Sequence, residues 1–219
     1  MITNGATPRR GFLGKVAAAA VAAGMPWSRL EAAETAIQDA QDQWLTRLNG
    51  KHRCLFDMPA PANGLPLVHI LNYVNTYNSA YSVADSDLNV VGTFYGFTTL
   101  HGVNDAMWAK YKIGAAMQAN DPATDAPATR NPWRTSVRAL GMDIAPASIE
   151  ALQARGVLFL LCNNALTFFA GELAKANGTE AAATYQDLRA NMLPGVVLVP
   201  AMVIAIEKAQ GAGLAYNRQ

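Results

Sequence analysis

Apolar positions along this chain recur in two rhythms, and the rhythms alternate. Leu67, Ile70, Leu71, Val74, Tyr77 and Tyr81 fall three or four residues apart, the spacing of one helix face. Ile37, Ala40, Trp44, Leu45 and Leu48 mark a shorter amphipathic helix before it, ending near Asn49-Gly50. Between them, 53–58 is a short extended run stopped by Pro59 and Pro61. Residues 88–95 are rich in β-branched and aromatic side chains and predict a second strand. A helix over 105–113 follows, with Met107, Trp108 and Tyr111 on its packed side. The remaining pattern predicts helices over 147–154, 164–176, 179–190 and 201–210, and strands over 157–161, 196–199 and 214–216. Pro200 stands where the last helix begins, and Gly211 and Gly213 end it.

Strands alternating with helices imply a parallel sheet covered on both faces. The unbroken apolar run VLFLL, 157–161, fits a central strand. Ligands in such folds gather outside the carboxyl ends of the strands, so the segments after Tyr95, Leu161 and Val199 are the candidate positions. The second holds Cys162, where a buried strand turns directly into a helix that Asn163 or Asn164 can cap. A thiol there faces free N–H groups and the positive end of the helix dipole, which favour the nucleophilic thiolate. Sulfur transfer, redox chemistry or metal binding would suit it. A small buried hydrophobe is the competing reading, since free cysteines are commonly that. Cys54 lies inside the first strand at a different level of the sheet, which predicts a core role and no disulfide to Cys162.

Composition sets the class. Apolar residues make up 51% of the 219, enough to fill one core. The segment 119–131, rich in Pro, Ala, Asp and Thr, reads as a surface loop, either a lid or a tolerated insertion. The N-terminus reads TPRRGFLGK over 7–15, followed by an Ala-dominated apolar run, 16–25. That run is too short for a membrane span, which needs about 20 apolar residues. Arg9-Arg10 followed by Phe12-Leu13 resembles a twin-arginine (Tat) export signal, with cleavage within 28–34. The implied passage through the Tat translocase delivers a soluble protein to the periplasm. Removing 1–33 takes away four cationic side chains (Arg9, Arg10, Lys15, Arg29) and Glu31, so the formal charge of +1 becomes −2. A nearly neutral chain without basic runs has no footprint for nucleic acid. No later run is long enough for a stable membrane span. The chain divides into a signal peptide, 1–33, an N-terminal helix, 34–50, and an α/β domain, 51–219.

The C-terminal third, RGVLFLLCNNAL followed by MLPGVVLVPAMVIAIEKAQGAGLAY, resembles the DsrE/DsrF-like sulfur-relay superfamily. The segment LNVVGTFYGFTTLHGVNDAMWAKYKIG resembles exported members, above all in NDAMWAKY. The resemblance covers 51–216. It implies a three-layer α/β/α sandwich with a mostly parallel five-stranded sheet, assembled as a homo-oligomer of three or six subunits. It also implies that Cys162 accepts a persulfide sulfur and passes it on, the N–H groups near Asn163 and Asn164 stabilising the charged form. A sulfur donor or acceptor protein would be the partner. Two features depart from the family pattern. Relay members are usually cytoplasmic, and exported relatives tend to show His-Gly where this chain has Tyr95-Gly96. His101 is the nearby substitute.

Other chemistry is sparse. His52, His69 and His101 lack metal-ligand spacing and read as surface or partly buried residues, and no metal is implied. No cofactor fingerprint occurs: Gly211-Ala212-Gly213 follows a helix, the wrong context for a dinucleotide. Asp105 either caps its helix, the favoured reading, or orients a ligand. Tyr73, Tyr77 and Tyr81 form a stripe that faces either the sheet or another subunit. Two readings remain: a periplasmic sulfur carrier acting through Cys162, and a non-enzymatic oligomeric protein that binds a ligand or partner.

Overall fold

The central strands of this protein are short and largely buried, as strands covered on both faces must be, while the edge strand Ala215–Arg218 is exposed. The computed structural model describes residues 41–121 and 123–219. The expected signal peptide and the start of the N-terminal helix, through residue 40, lie outside the described residues. Residues 44–219 form one compact unit.

Five strands make the sheet: β1 (His52–Asp57), β2 (Leu88–Phe94), β3 (Leu158–Cys162), β4 (Val197–Val199) and β5 (Ala215–Arg218). Their order is β4-β3-β2-β1-β5 and every pairing is parallel. Seven helices flank it among the described residues: α1 (Leu65–Tyr81), α2 (Asp105–Lys110), α3 (Ile113–Met117), α4 (Ile149–Ala154), α5 (Asn163–Asn177), α6 (Ala181–Ala190) and α7 (Met202–Gly211). The result is a three-layer α/β/α sandwich. Alternation along β3 divides its core in two. Phe159 and Leu161 pack with α1, α2, α4, α5 and α6 on one face; Leu158, Leu160 and Cys162 pack with α7, Trp44 and Leu48 on the other. Trp44 belongs to a 3-10 turn, Gln43–Arg47, the described end of the expected N-terminal helix.

The helices begin and end where backbone chemistry dictates. Gly64, left-handed at φ 76°, leads into α1 with Pro66 in its first turn. Leu67, Ile70 and Val74 form its buried face, each side chain contributing about 1.5–3 kcal/mol against exposure. The helix expected over 105–113 is two pieces, because Lys112 adopts a left-handed φ of 51° between α2 and α3. Tyr73 packs edge-on against Phe56 and Tyr77 against His52, so two members of the tyrosine stripe face the sheet, while Tyr81 stays exposed.

Two elements do not follow from the sequence pattern. A small antiparallel hairpin pairs Val137–Ala139 with Met142–Ile144, and a long 3-10 segment, Gly96–Gly102, follows β2. The loop over 119–131 is tied down at Asp121, which accepts the Ala123 N–H at 2.9 Å and pairs with Arg130 at 3.0 Å. Cys54 and Cys162 occupy opposite faces of the sheet and both are free. Burial pushes the Cys54 thiol up to about 11, which leaves it protonated and inert.

Gly92, in mid-strand, shows how close the packing is. A Cβ there would lie 2.6 Å from the Phe159 ring, which is itself stacked on Phe94 with 5.0 Å between centroids. A Gly92→Ala substitution is therefore expected to destabilise the fold by about 1–3 kcal/mol, read as a lower urea midpoint. A midpoint unchanged from wild type would show that Phe159 yields freely.

Candidate functional site

The carboxyl ends of β1 and β2 are joined by side chains where the ladder stops. The Thr93 hydroxyl accepts the Met58 N–H at 2.8 Å, and the Thr98 hydroxyl donates to the Met58 carbonyl at 2.6 Å. Thr98 also accepts the Tyr95 N–H at 3.1 Å, which turns the chain out of β2. The turn needs Gly96: its φ is +56°, and a Cβ would sit 2.8 Å from the Pro59 carbonyl oxygen.

Asp57, the last residue of β1, is a carboxylate with 1% of its surface exposed. Burial at that level requires partners. Tyr216 donates its hydroxyl at 2.5 Å, Thr93 lies at 3.5 Å, and the Arg218 guanidinium stands 3.9 Å away. Tyr95 belongs to the same cluster: burial first, then its hydrogen bond to Asp57, pushes its phenol well above the usual range. The bond to Asp57 pushes Tyr216 in the same direction. Both phenols therefore keep their protons, and Tyr216 donates to the carboxyl group.

That cluster holds Tyr95 beside Cys162. Phe94 pairs with Leu161 in the β2–β3 register, so the next residues along are Tyr95 and Cys162. The two line a cleft of about 480 Å³, walled by Phe97, Asn164, Phe168 and Val203. Cys162 itself is 6% exposed. It is the residue from which α5 starts, and its Sγ accepts the N–H of Met202, the first residue of α7, at 3.4 Å. Two helix openings thus converge on one sulfur, an environment that accommodates negative charge.

Several expectations are corrected here. Neither Asn163 nor Asn164 caps α5: the helix begins at Asn163, Cys162 occupies the cap position, and no side chain closes it. The strand runs straight into the helix and leaves no extended Asn to fold back. Asn163 instead accepts the Tyr185 hydroxyl from α6 at 2.7 Å. The N–H directed at the sulfur comes from Met202, on the helix after the third candidate segment. Asp105 does not cap α2, because Asn104 accepts the Met107 N–H there. Asp105 accepts the Asn131 N–H at 3.0 Å and pairs with Arg134 at 2.9 Å, fastening the loop behind it.

His101 is neither a surface residue nor a neighbour of Cys162. It is 3% exposed, stacked on Trp133 with 3.8 Å between ring centroids and edge-on to Trp108 at 5.3 Å. It lines a different cavity, shared with Trp133 and Arg138. His52 packs on Tyr77, and the exposed His69 meets the Gln219 side chain. Among the described residues, no three His, Cys, Asp or Glu side chains are grouped to hold a metal ion, and no helix is long and apolar enough to cross a membrane.

Asp57, Thr93, Thr98, Met202 and Tyr216 are absent from the sequence reading. Asp57 carried a signal, as the single acid in the apolar run CLFDM. Met202 carried none, because it acts through its backbone.

No family model matches the sequence, and no curated protein matches it. The solved structure of a protein of unknown function, MTH1491 from Methanobacterium thermoautotrophicum, is similar at 18% identity and a TM-score of 0.38, over 77% of this chain and 99% of that one.

Burial pushes the His101 imidazole down to about 3, against a small opposing effect of its bond to Thr98. In the unfolded chain it titrates near its ordinary value of about 6.5. Its contribution to stability is therefore complete above that value and is lost as pH falls toward 3, by at most about 1.4 kcal/mol per pH unit. The His101 ring resonances are expected to stay unchanged from about pH 7.5 to about pH 4.5. A ring that titrates near its ordinary value would refute the burial argument.

Proposed function

We propose that this chain is an exported DsrE/DsrF-like protein that carries sulfane sulfur on Cys162. The observation that supports it is the setting of one atom: Cys162 Sγ, at the carboxyl end of a central strand, takes an N–H from α7 and borders an open cleft. The twin-arginine pattern and the sequence resemblance add the proposed periplasmic location and the proposed relay role.

The chemistry needs no external oxidant. The Cys162 thiolate attacks the outer sulfur of a donor persulfide, R–S–SH. A new Cys162 S–S bond forms, the donor S–S bond breaks, and R–S⁻ leaves with the electron pair. The proton stays on the transferred sulfur. Attack by an acceptor thiolate on the terminal sulfur of the Cys162 persulfide reverses the sequence and regenerates the Cys162 thiolate. The Met202 N–H favours the anionic sulfur at each stage. Tyr95, held by Asp57, lines the space that the transferred sulfur would occupy.

A second reading is favoured by the rim of the cleft. Phe97, Phe168 and Val203 are 66%, 63% and 71% exposed, an apolar border of the kind that marks a contact surface. On that reading the protein is an oligomer that binds a partner or ligand, and Cys162 is a core residue. Under the carrier reading the same rim receives the donor or acceptor protein.

Incubation with a low-molecular-weight persulfide is expected to add one sulfur atom to the wild-type protein, observed by intact mass. Cys54→Ala should gain it equally, and Cys162→Ser should gain none. Cyanide should remove the added sulfur as thiocyanate. A wild-type protein that takes up no sulfur, with unaltered assembly in Cys162→Ala, would decide for the second reading.

A further inference from the structure

The cavity on the far side of Phe97 has the attributes of a binding site, and nothing in the sulfur chemistry uses it. Its volume is about 460 Å³, within the range of small-molecule sites. Pro61, Asn63, Phe97, His101, Trp133 and Arg138 contribute to its lining. Most of that surface is apolar or aromatic, and Gln118 and Asn120 add amide groups to the polar members.

His101 is the unusual member. Its Nδ1 lies 3.3 Å from the Thr98 carbonyl oxygen. A carbonyl only accepts, so this bond assigns the ring proton to Nδ1 and leaves Nε2 with a bare lone pair. Nε2 has no hydrogen-bond partner among the described residues, and no described buried side-chain polar atom is both sealed and unpaired. Nε2 therefore opens onto the cavity that the ring lines. The ring cannot swing away. Trp133 stacks on it, Trp108 meets its edge, and the Asn131 amide holds the His101 carbonyl at 2.8 Å. Trp108 is fixed in turn by donating to the Leu100 carbonyl at 2.9 Å.

The lining also selects against other ligands. No carboxylate is present among the described residues that line it, so a cation would find no counter-charge. Arg138 is paired with Asp143 at 3.2 Å, which offsets part of its pull on an anion. One histidine without further ligands is a poor metal site. A fixed acceptor beside stacked aromatic rings suits a flat molecule with one hydrogen to donate.

We propose that this cavity binds a small, neutral, planar aromatic compound carrying a hydroxyl or ring N–H, which donates to His101 Nε2. Burial of the imidazole keeps that acceptor unprotonated under ordinary conditions. Cys162 takes no part in this binding: its cleft shares only Phe97 with this cavity.

Phenol and anisole, which share a ring but differ in the O–H, are the probes. Each is titrated into the full-length protein with its histidine and tryptophan side chains labelled with ¹⁵N. Phenol is expected to move the His101 Nε2 and Trp133 Nε1 resonances saturably, and anisole to bind at least about tenfold more weakly, the cost of an acceptor left unmade. In His101→Phe, which retains a stacked ring, phenol should lose that advantage. Should that variant not fold, the comparison of the two probes on the wild-type protein decides alone. Equal affinity for the two probes, no saturable shift at His101 and Trp133, or shifts confined to the residues of the Cys162 cleft would each overturn the proposal.

Discussion

The backbone of one residue organises the functional edge of this sheet. Met58 lies just past the end of β1, where no strand remains to take its backbone N–H or its carbonyl, and it is fully buried. An unpaired backbone group in that position would cost about 1–3 kcal/mol. Thr93 supplies the acceptor and Thr98 the donor, so two hydroxyls from the β2 side finish a ladder that the strands leave incomplete. Because Thr98 also fixes the Tyr95 N–H, the same bonds decide where the chain goes after β2. Tyr95 arrives at the Cys162 cleft, Phe97 at its rim and His101 in the neighbouring cavity. The placement of Tyr95, Phe97 and His101 follows from pairing the backbone of that one residue.

The buried carboxyl group of Asp57 follows a related logic. A polar group this deep is tolerated only with partners, and its partners come from two neighbouring strands: Tyr216 and Arg218 from β5, and Thr93 from β2, with Tyr95 just beyond β2. Asp57 thereby ties the edge strand β5 to the centre of the sheet. It also explains why a tyrosine follows β2. Tyr95 keeps its proton because burial first, and the neighbouring Asp57 second, push its phenol up, and so it presents a neutral surface to the sulfur.

Much of the layer architecture was legible in the sequence, because periodicity reports burial and burial is what the layers are made of. All five strands stand within one or two residues of the expected positions, including VLFLL shifted by one to end at Cys162. The prominence of Cys162 was legible for the same reason: an apolar run that meets Asn-Asn announces a strand-to-helix corner. What surrounds the sulfur was not. The donor is the backbone of Met202, 40 residues away, and a backbone N–H leaves no mark in side-chain patterns. The role of Asn163 was misread because the corner is sharper than a capped helix start allows. His101 was misread because its burial depends on Trp133, which sits in a segment without periodicity, next to a hairpin whose strands are three residues each. Such short elements carry too few positions for a rhythm to show.

The 3-10 segment Gly96–Gly102 gives the two cavities a common wall. Phe97 lines both, 66% exposed, and its N–H is held by the Pro59 carbonyl at 2.9 Å. Thr98, Thr99, Leu100 and His101, which follow it, are all buried, so the segment is anchored along one side and free along the other. Thr99 donates to the Gly96 carbonyl at 2.7 Å, which stiffens the first turn under Phe97. Among the described residues that line them, the two cavities share Phe97 and no polar side chain, so they are chemically distinct and joined by packing alone.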